Sequence, residues 1–267
     1  MEISENISNL NYIKNYLLEY MVSESTIKVR IYGDSLGLPR IGHVKNEERY
    51  ITLLEKFIRQ KNQNIEYLDR TRINSTVTYL HRWYVEDNAY FGENNDILII
   101  HCGICDCAPR PIPPKLRGFI STLKGKFREI AVKLVKKNRI RLQKNNFIWR
   151  TTEPSIFSET YTNWIIEALK SFKQIYIVNI APTNESTEKR SPGLIASITQ
   201  YNAMIAEIIT TINKSNIHLI DIYRGINDDI IDQNSDINQY ILQEDGHHIT
   251  PKTHQIIFNK IIETINI

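Results

Sequence analysis

The chain has 267 residues, a formal net charge of +3 and 42% hydrophobic residues, enough apolar material for one buried α/β core with insertions. No run approaches the roughly eighteen apolar residues that span a bilayer. The polar, acidic start Met1-Glu2-Ile3-Ser4-Glu5-Asn6 lacks the basic-then-apolar pattern of a secretory leader, so a cytoplasmic location is expected. Cys102, Cys105 and Cys107 sit too close together to frame a fold by disulfides and are expected to be reduced.

In chain order, a helical pattern near 5–22 leads to a β-branched strand at 27–32, which ends in Gly33-Asp34-Ser35-Leu36. The glycine is expected to permit a tight turn that presents Ser35 at the strand's C-terminal edge. Helical periodicity near 47–62 and 76–90 brackets a strand at 64–68. A third strand at 96–101 runs into Cys102-Gly103-Ile104-Cys105, formally a Cys-x-x-Cys with His101 before it and Cys107 after. No second, distant ligand pair completes a zinc site, and the proline-rich 108–114 cannot continue as helix, so no metal or redox role is expected.

The connection at about 107–160 is long enough to read as a basic helical insertion within a single domain spanning 1–267. Leu116, Phe119, Ile120, Leu123, Phe127, Ile130, Ala131 and Leu134 recur at three- and four-residue steps, predicting one amphipathic helix over 116–137. Between Arg110 and Arg150 stand 13 Lys or Arg against Glu129 alone, leaving the rest of the chain at about −9. The expectation is that the apolar stripe packs on the body while the lysines face water. The rival reading is that the basic segment 115–141 meets an anionic ligand or membrane surface. No nucleic-acid motif accompanies the charge, so nucleic acid is not an expected partner.

Helices near 159–172, 193–213 and 251–265 alternate with strands at 174–180 and 216–220. This rhythm predicts an α/β fold: a three-layer α/β/α sandwich with a five-stranded parallel sheet in the flavodoxin-like order 2-1-3-4-5. Ser35 then lies beside the topological switch point, where such sheets bind ligands. Asp245-Gly246-His247-His248 precedes the last helix, for which Thr250 is the expected N-cap and Pro251 the first residue. A histidine and an aspartate on one loop suit the base and orienter that a serine nucleophile needs. The Asp-x-x-His spacing selects His248 over His247; His43, His81 and His218 have no partner in motif spacing, and His254 reads as packed or surface.

Together, Gly33-Asp34-Ser35-Leu36 and Asp245-x-x-His248 resemble the first and last blocks of the SGNH, or GDSL, hydrolases, a family of esterases, lipases and deacetylases. The resemblance implies Ser35 as nucleophile, His248 as base and Asp245 as orienter, with no cofactor or metal and with Asp34 as a structural partner. It also implies an oxyanion hole of three donors. The first is the Ser35 amide. The second is the backbone amide of Asn74, which stands at a glycine position in Arg72-Ile73-Asn74-Ser75-Thr76. The third block reads Gly103-Ile104-Cys105-Asp106, matching at Gly103, which the resemblance places in the oxyanion hole, and at Asp106, but with Cys105 where the family has an asparagine, and a thiol is a weak donor. Either two amides and a poor third suffice, or Asn74 or Arg110 supplies a donor, or the chain is no longer an efficient hydrolase.

Three readings follow from the resemblance. One is a serine esterase or deacylase acting through an acyl-serine on an O-acylated carbohydrate or other small ester. The others are an O-acyltransferase in glycan assembly using the same serine, and an SGNH-fold binding module without catalysis.

Overall fold

The computed structural model describes residues 26–92, 94–143 and 149–267; the helical pattern expected near 5–22 lies outside them. β1 (Ile27–Gly33), β2 (Ile65–Thr71), β3 (Asn95–His101), β4 (Phe172–Val178) and β5 (Ile217–Ile220) form one sheet in the order β2-β1-β3-β4-β5, every pairing parallel. This is the order that the alternation of elements implied.

Because successive side chains of a strand point to opposite faces, the sheet divides its apolar residues between two cores. Val29, Ile31, Ile97, Ile99, Tyr176 and Val178 pack on α1 (Tyr50–Lys61), α10 (Ile222–Gln233) and α11 (Pro251–Ile262). On the other face, Tyr32, Leu98, Ile100, Ile175 and Ile177 meet α2 (Val77–Phe91), α7 (Pro154–Ala168) and α9 (Leu194–Ile212). Trp164 of α7 is fully buried there, so it serves the core. Among the described residues no helix is long and apolar enough to cross a membrane.

The basic insertion departs from expectation in two ways. It is not one helix but α4 (Pro114–Thr122), α5 (Gly125–Lys137) and α6 (Arg139–Gln143). Leu123 and Lys124 are extended and Gly125 takes φ +54°, which breaks the helical run. Nor does the apolar stripe pack on the body: α4 and α5 lean on each other, and neither has a buried residue. Phe127, Ile130 and Leu134 are 77%, 55% and 56% exposed, so the apolar edge of α5 faces outward.

Candidate active site

Ser35 begins a single 3-10 turn, Ser35–Gly37, at the C-terminal end of β1. Asp34 caps it, Oδ1 accepting the Leu36 amide at 2.9 Å while Oδ2 accepts the Gly103 amide at 3.2 Å. The Asp34 amide donates to the His101 carbonyl at 2.9 Å, so the ends of β1 and β3 are tied together under the serine. Gly33 is needed for a different reason from the expected one. Its φ is not positive; a Cβ there would stand 2.6 Å from Thr71 Cγ2, so close approach of β2 excludes a side chain.

The histidine arrives on a loop held at several points. Gly246 takes φ +70°, and a Cβ on it would come within 1.9 Å of Thr187 Oγ1. Its carbonyl accepts from Thr183 Oγ1 at 2.5 Å and from the Asn184 amide at 3.2 Å. From α8 (Glu185–Arg190), Thr187 Oγ1 and Arg190 Nη2 each donate to the Asp245 carbonyl at 2.9 Å. Thr250 does stand at the N-cap of α11 ahead of Pro251, but its hydroxyl donates to the Gln239 carbonyl at 2.6 Å instead of capping the helix.

These two loops bring the three predicted residues into one hydrogen-bonded line. Ser35 Oγ lies 3.0 Å from His248 Nε2, and His248 Nδ1 lies 2.6 Å from Asp245 Oδ2. The other carboxylate oxygen accepts the amides of His247 and His248 at 3.1 and 3.0 Å. Burial pushes the Asp245 carboxyl upward, but the His248 side chain, the two backbone amides and the His248 charge outweigh it and hold the group well below the usual carboxylate range. An ionised Asp245 fixes the proton on Nδ1 and leaves the Nε2 lone pair facing the serine hydroxyl. Arg40 also reaches His248 Nε2.

The oxyanion candidates divide. Among the described residues neither the Ser35 nor the Asn74 amide donates to a backbone or side-chain acceptor, and both residues line the cleft in front of the serine. Asn74 takes φ +56°, the left-handed region in which a glycine or asparagine is at ease. Cys105 lines the same cleft, its thiol pushed up to about 12 by burial and by Asp34 and Asp106, so it stays neutral. Gly103 does not fit the donor role: its amide is taken by Asp34, and its φ of +136° with Ile180 Cδ1 2.7 Å from a notional Cβ makes it a packing glycine. Asp106 lies beneath, accepting the Val77 amide at 3.1 Å and Thr152 Oγ1 at 2.5 Å.

The remaining candidates lie apart from the serine. His81 pairs with Glu167 at 2.8 Å, His218 stacks on Tyr176, and His254 is buried with Nδ1 accepting the Tyr50 amide at 3.3 Å. The cysteines are free, and burial raises the thiols of Cys102 and Cys107 well above normal. Among the described residues the one cluster of three close metal-ligating groups is Asp245, His247 and His248, of which Asp245 and His248 are bonded to each other in line with Ser35 while His247 Nδ1 meets the Asp245 carbonyl at 3.1 Å. Sequence reasoning did not single out Arg40 or Arg139, which line the cleft; no motif spacing marks them, because a loop delivers the first and the start of α6 the second.

No family model matches the chain, and no curated protein matches it by sequence. Solved structures do share its fold. A lipase/acylhydrolase from Enterococcus faecalis superposes with a TM-score of 0.56 at 13% identity, covering 89% of this chain and 94% of the other. A member of the lipolytic protein G-D-S-L family from Veillonella parvula gives 0.54 at 13% identity over 90% of this chain and 98% of its own. The acetyl xylan esterase AlAXEase gives 0.57 at 18% identity, over 90% of this chain and all (100%) of its own. The fold is therefore the SGNH-hydrolase fold that the two sequence blocks implied.

Proposed function

We propose that the chain is a serine ester hydrolase of the SGNH type, one domain over 1–267 with an insertion at about 107–160. The observation that carries this reading is the unbroken line from Ser35 Oγ through His248 to Asp245, with spacings of 3.0 and 2.6 Å. Ser35 Oγ attacks the ester carbonyl carbon while its proton passes to His248 Nε2. The oxygen that becomes negative is held by the Ser35 and Asn74 amides, with the Cys105 thiol as a weak third donor. Collapse expels the alcohol, which takes the proton from His248. Water then attacks the acyl-serine, giving its proton to His248, and the acid leaves as Ser35 is reprotonated. An O-acylated carbohydrate or other small ester is the proposed substrate class, supported by the fold shared with acetyl xylan esterases. The test is release of acetate from 4-nitrophenyl acetate and acetylated xylo-oligosaccharide; Ser35→Ala should lose on the order of 10³-fold or more. Adding a free sugar acceptor separates the rival reading, since an acylated acceptor would point to an O-acyltransferase.

A second proposal concerns the insertion, as a contact surface for anionic lipid. It is favoured by the outward-facing Phe127, Ile130 and Leu134 on a helix that also carries Lys126, Lys133, Lys136 and Lys137.

A further inference from the structure

We propose that the cleft at Ser35 takes an anionic ester, one whose acyl or alcohol part carries a carboxylate or phosphate, held by Arg110, Arg139 and Arg190 with Arg40 beside the catalytic histidine. The ester half of this proposal rests on the hydrolase reading; the anion half rests on the arginines alone.

All four guanidinium-bearing residues line the cleft of about 520 Å³ that opens on Ser35 and His248. They come from separate places in the fold. Arg40 follows the serine turn, Arg110 opens the insertion, Arg139 starts α6 and Arg190 ends α8. Elsewhere Arg49 pairs with Asp69 and Arg70 with Asp87, both at 2.7 Å, while Arg30 and Arg150 bond neutral groups but stand apart from one another. Among the described residues none of the four cleft arginines makes such a pair. Arg40 bonds His248 Nε2, and the other three bond neutral oxygens instead. Arg110 Nε donates to Thr151 Oγ1 at 3.1 Å, Arg139 Nη2 to Ser191 Oγ at 2.8 Å, and Arg190 Nη2 to Thr187 Oγ1 at 2.8 Å. Arg40 and Arg139 each keep a buried Nε without any partner.

The acids nearby offset this charge only in part, Arg110 acting on Asp106. Asp245 is committed to His248 and two amides, and burial pushes Asp34 and Asp106, below the cleft floor, up to about 7. The arginines also act on one another: burial, Arg110 and Arg190 all lower the Arg139 pKa. Desolvated like charges without a counterion are costly, and a guanidinium fork matches a carboxylate or phosphate with two parallel hydrogen bonds. An oxyanion on the substrate supplies what these arginines lack and fixes the scissile ester against Ser35. It also gives Arg40 a partner other than His248 Nε2, freeing that lone pair for the serine proton.

The experiment measures binding to Ser35→Ala, which cannot turn over, by calorimetry with three probes: 4-acetoxybenzoate, 4-acetoxyphenyl phosphate and the neutral 4-acetoxybenzamide. At least one anion should bind about tenfold or more tighter than the amide, and the tighter anion identifies the group as carboxylate or phosphate. That preference should fall toward one in Ser35→Ala/Arg139→Gln and again in Ser35→Ala/Arg190→Gln, with the affinity for the neutral amide unchanged in each, which separates a lost anion partner from a displaced loop. Equal affinity for all three probes, or no measurable binding of either anion, overturns the proposal. Hydrolysis by wild type is read separately. Anion-selective binding without turnover of any probe would sink the hydrolase reading and leave the anion site standing; turnover of all three without binding preference would do the reverse.

Discussion

Cys105 is where the site departs furthest from the family pattern, since a neutral thiol occupies the place of an amide donor. One good oxyanion donor is typically worth about 10²–10³ in rate, so Cys105→Asn should leave esterase activity equal or higher, by up to that factor. A large fall in kcat would mean that the thiol has a role of its own. Asp245 invites the opposite change. Asn in its place keeps the shape but no longer fixes the proton on His248 Nδ1, and kcat should fall by up to about 10⁴-fold with KM little altered. Steady-state kinetics on folded Asp245→Asn checks this, and a loss under tenfold would contradict it.

At the scale of elements, β1 and β2 set how closely the Ser35 turn can be drawn in. Gly33 faces Thr71 Cγ2, so Gly33→Ala should cost about 1–3 kcal/mol in urea denaturation, as overpacking of a well-filled site does. Thr71→Ser removes that methyl while keeping the hydroxyl that bonds Asp69 and Arg49, and Gly33→Ala should cost less in its background. An equal cost in both backgrounds would show that the contact is not the reason for the glycine. The two helices of the insertion carry a different expectation. Their outward apolar edge and lysines should bring the protein down with vesicles containing phosphatidylserine, less so at high salt, and Phe127→Asp should abolish this. Equal sedimentation with neutral phosphatidylcholine vesicles would remove the proposal of an anionic lipid surface.

For the whole molecule, buried carboxyls and buried histidines together set the response to pH. Asp34 and Asp106 are pushed up to about 7, so between pH ~4 and ~7 the folded chain holds protons that the unfolded chain has released. Their contribution to stability therefore falls as pH rises through that window. Asp245, depressed, works the other way: its contribution is present above about pH 4 and is lost as the pH falls below it. Burial lowers His101 and His254 to about 3, so their contribution rises with pH over much of the same window and opposes that of the carboxyls. The carboxyl share is read by difference: the change in denaturation midpoint from pH 5 to pH 8 should be more positive in Asp106→Asn than in wild type, and an equal change in both would contradict this. Much of this architecture was legible in the chain, because buried parallel strands such as Ile97-Leu98-Ile99-Ile100 read as unbroken apolar runs. The helix Ile222–Gln233 was not, since Gly225 and three aspartates hide it. Its start is held locally by the Asp221 N-cap, which accepts the Arg224 amide at 2.9 Å, and from across the fold by Asn179 Oδ1, which accepts the Ile222 and Tyr223 amides at 2.9 and 3.2 Å. The serine, histidine and aspartate were legible from their blocks, whereas the arginines converge only after folding, from positions as far apart as 40 and 190.

If the line of Ser35, His248 and Asp245 activates the serine, a small fluorophosphonate should add to it, and intact mass after incubation reads this without knowledge of the substrate. Wild type should carry a single adduct, Ser35→Ala none, and Asp245→Asn should label more slowly. Folded wild-type protein that stays unlabelled would contradict it and leave the fold as a binding module.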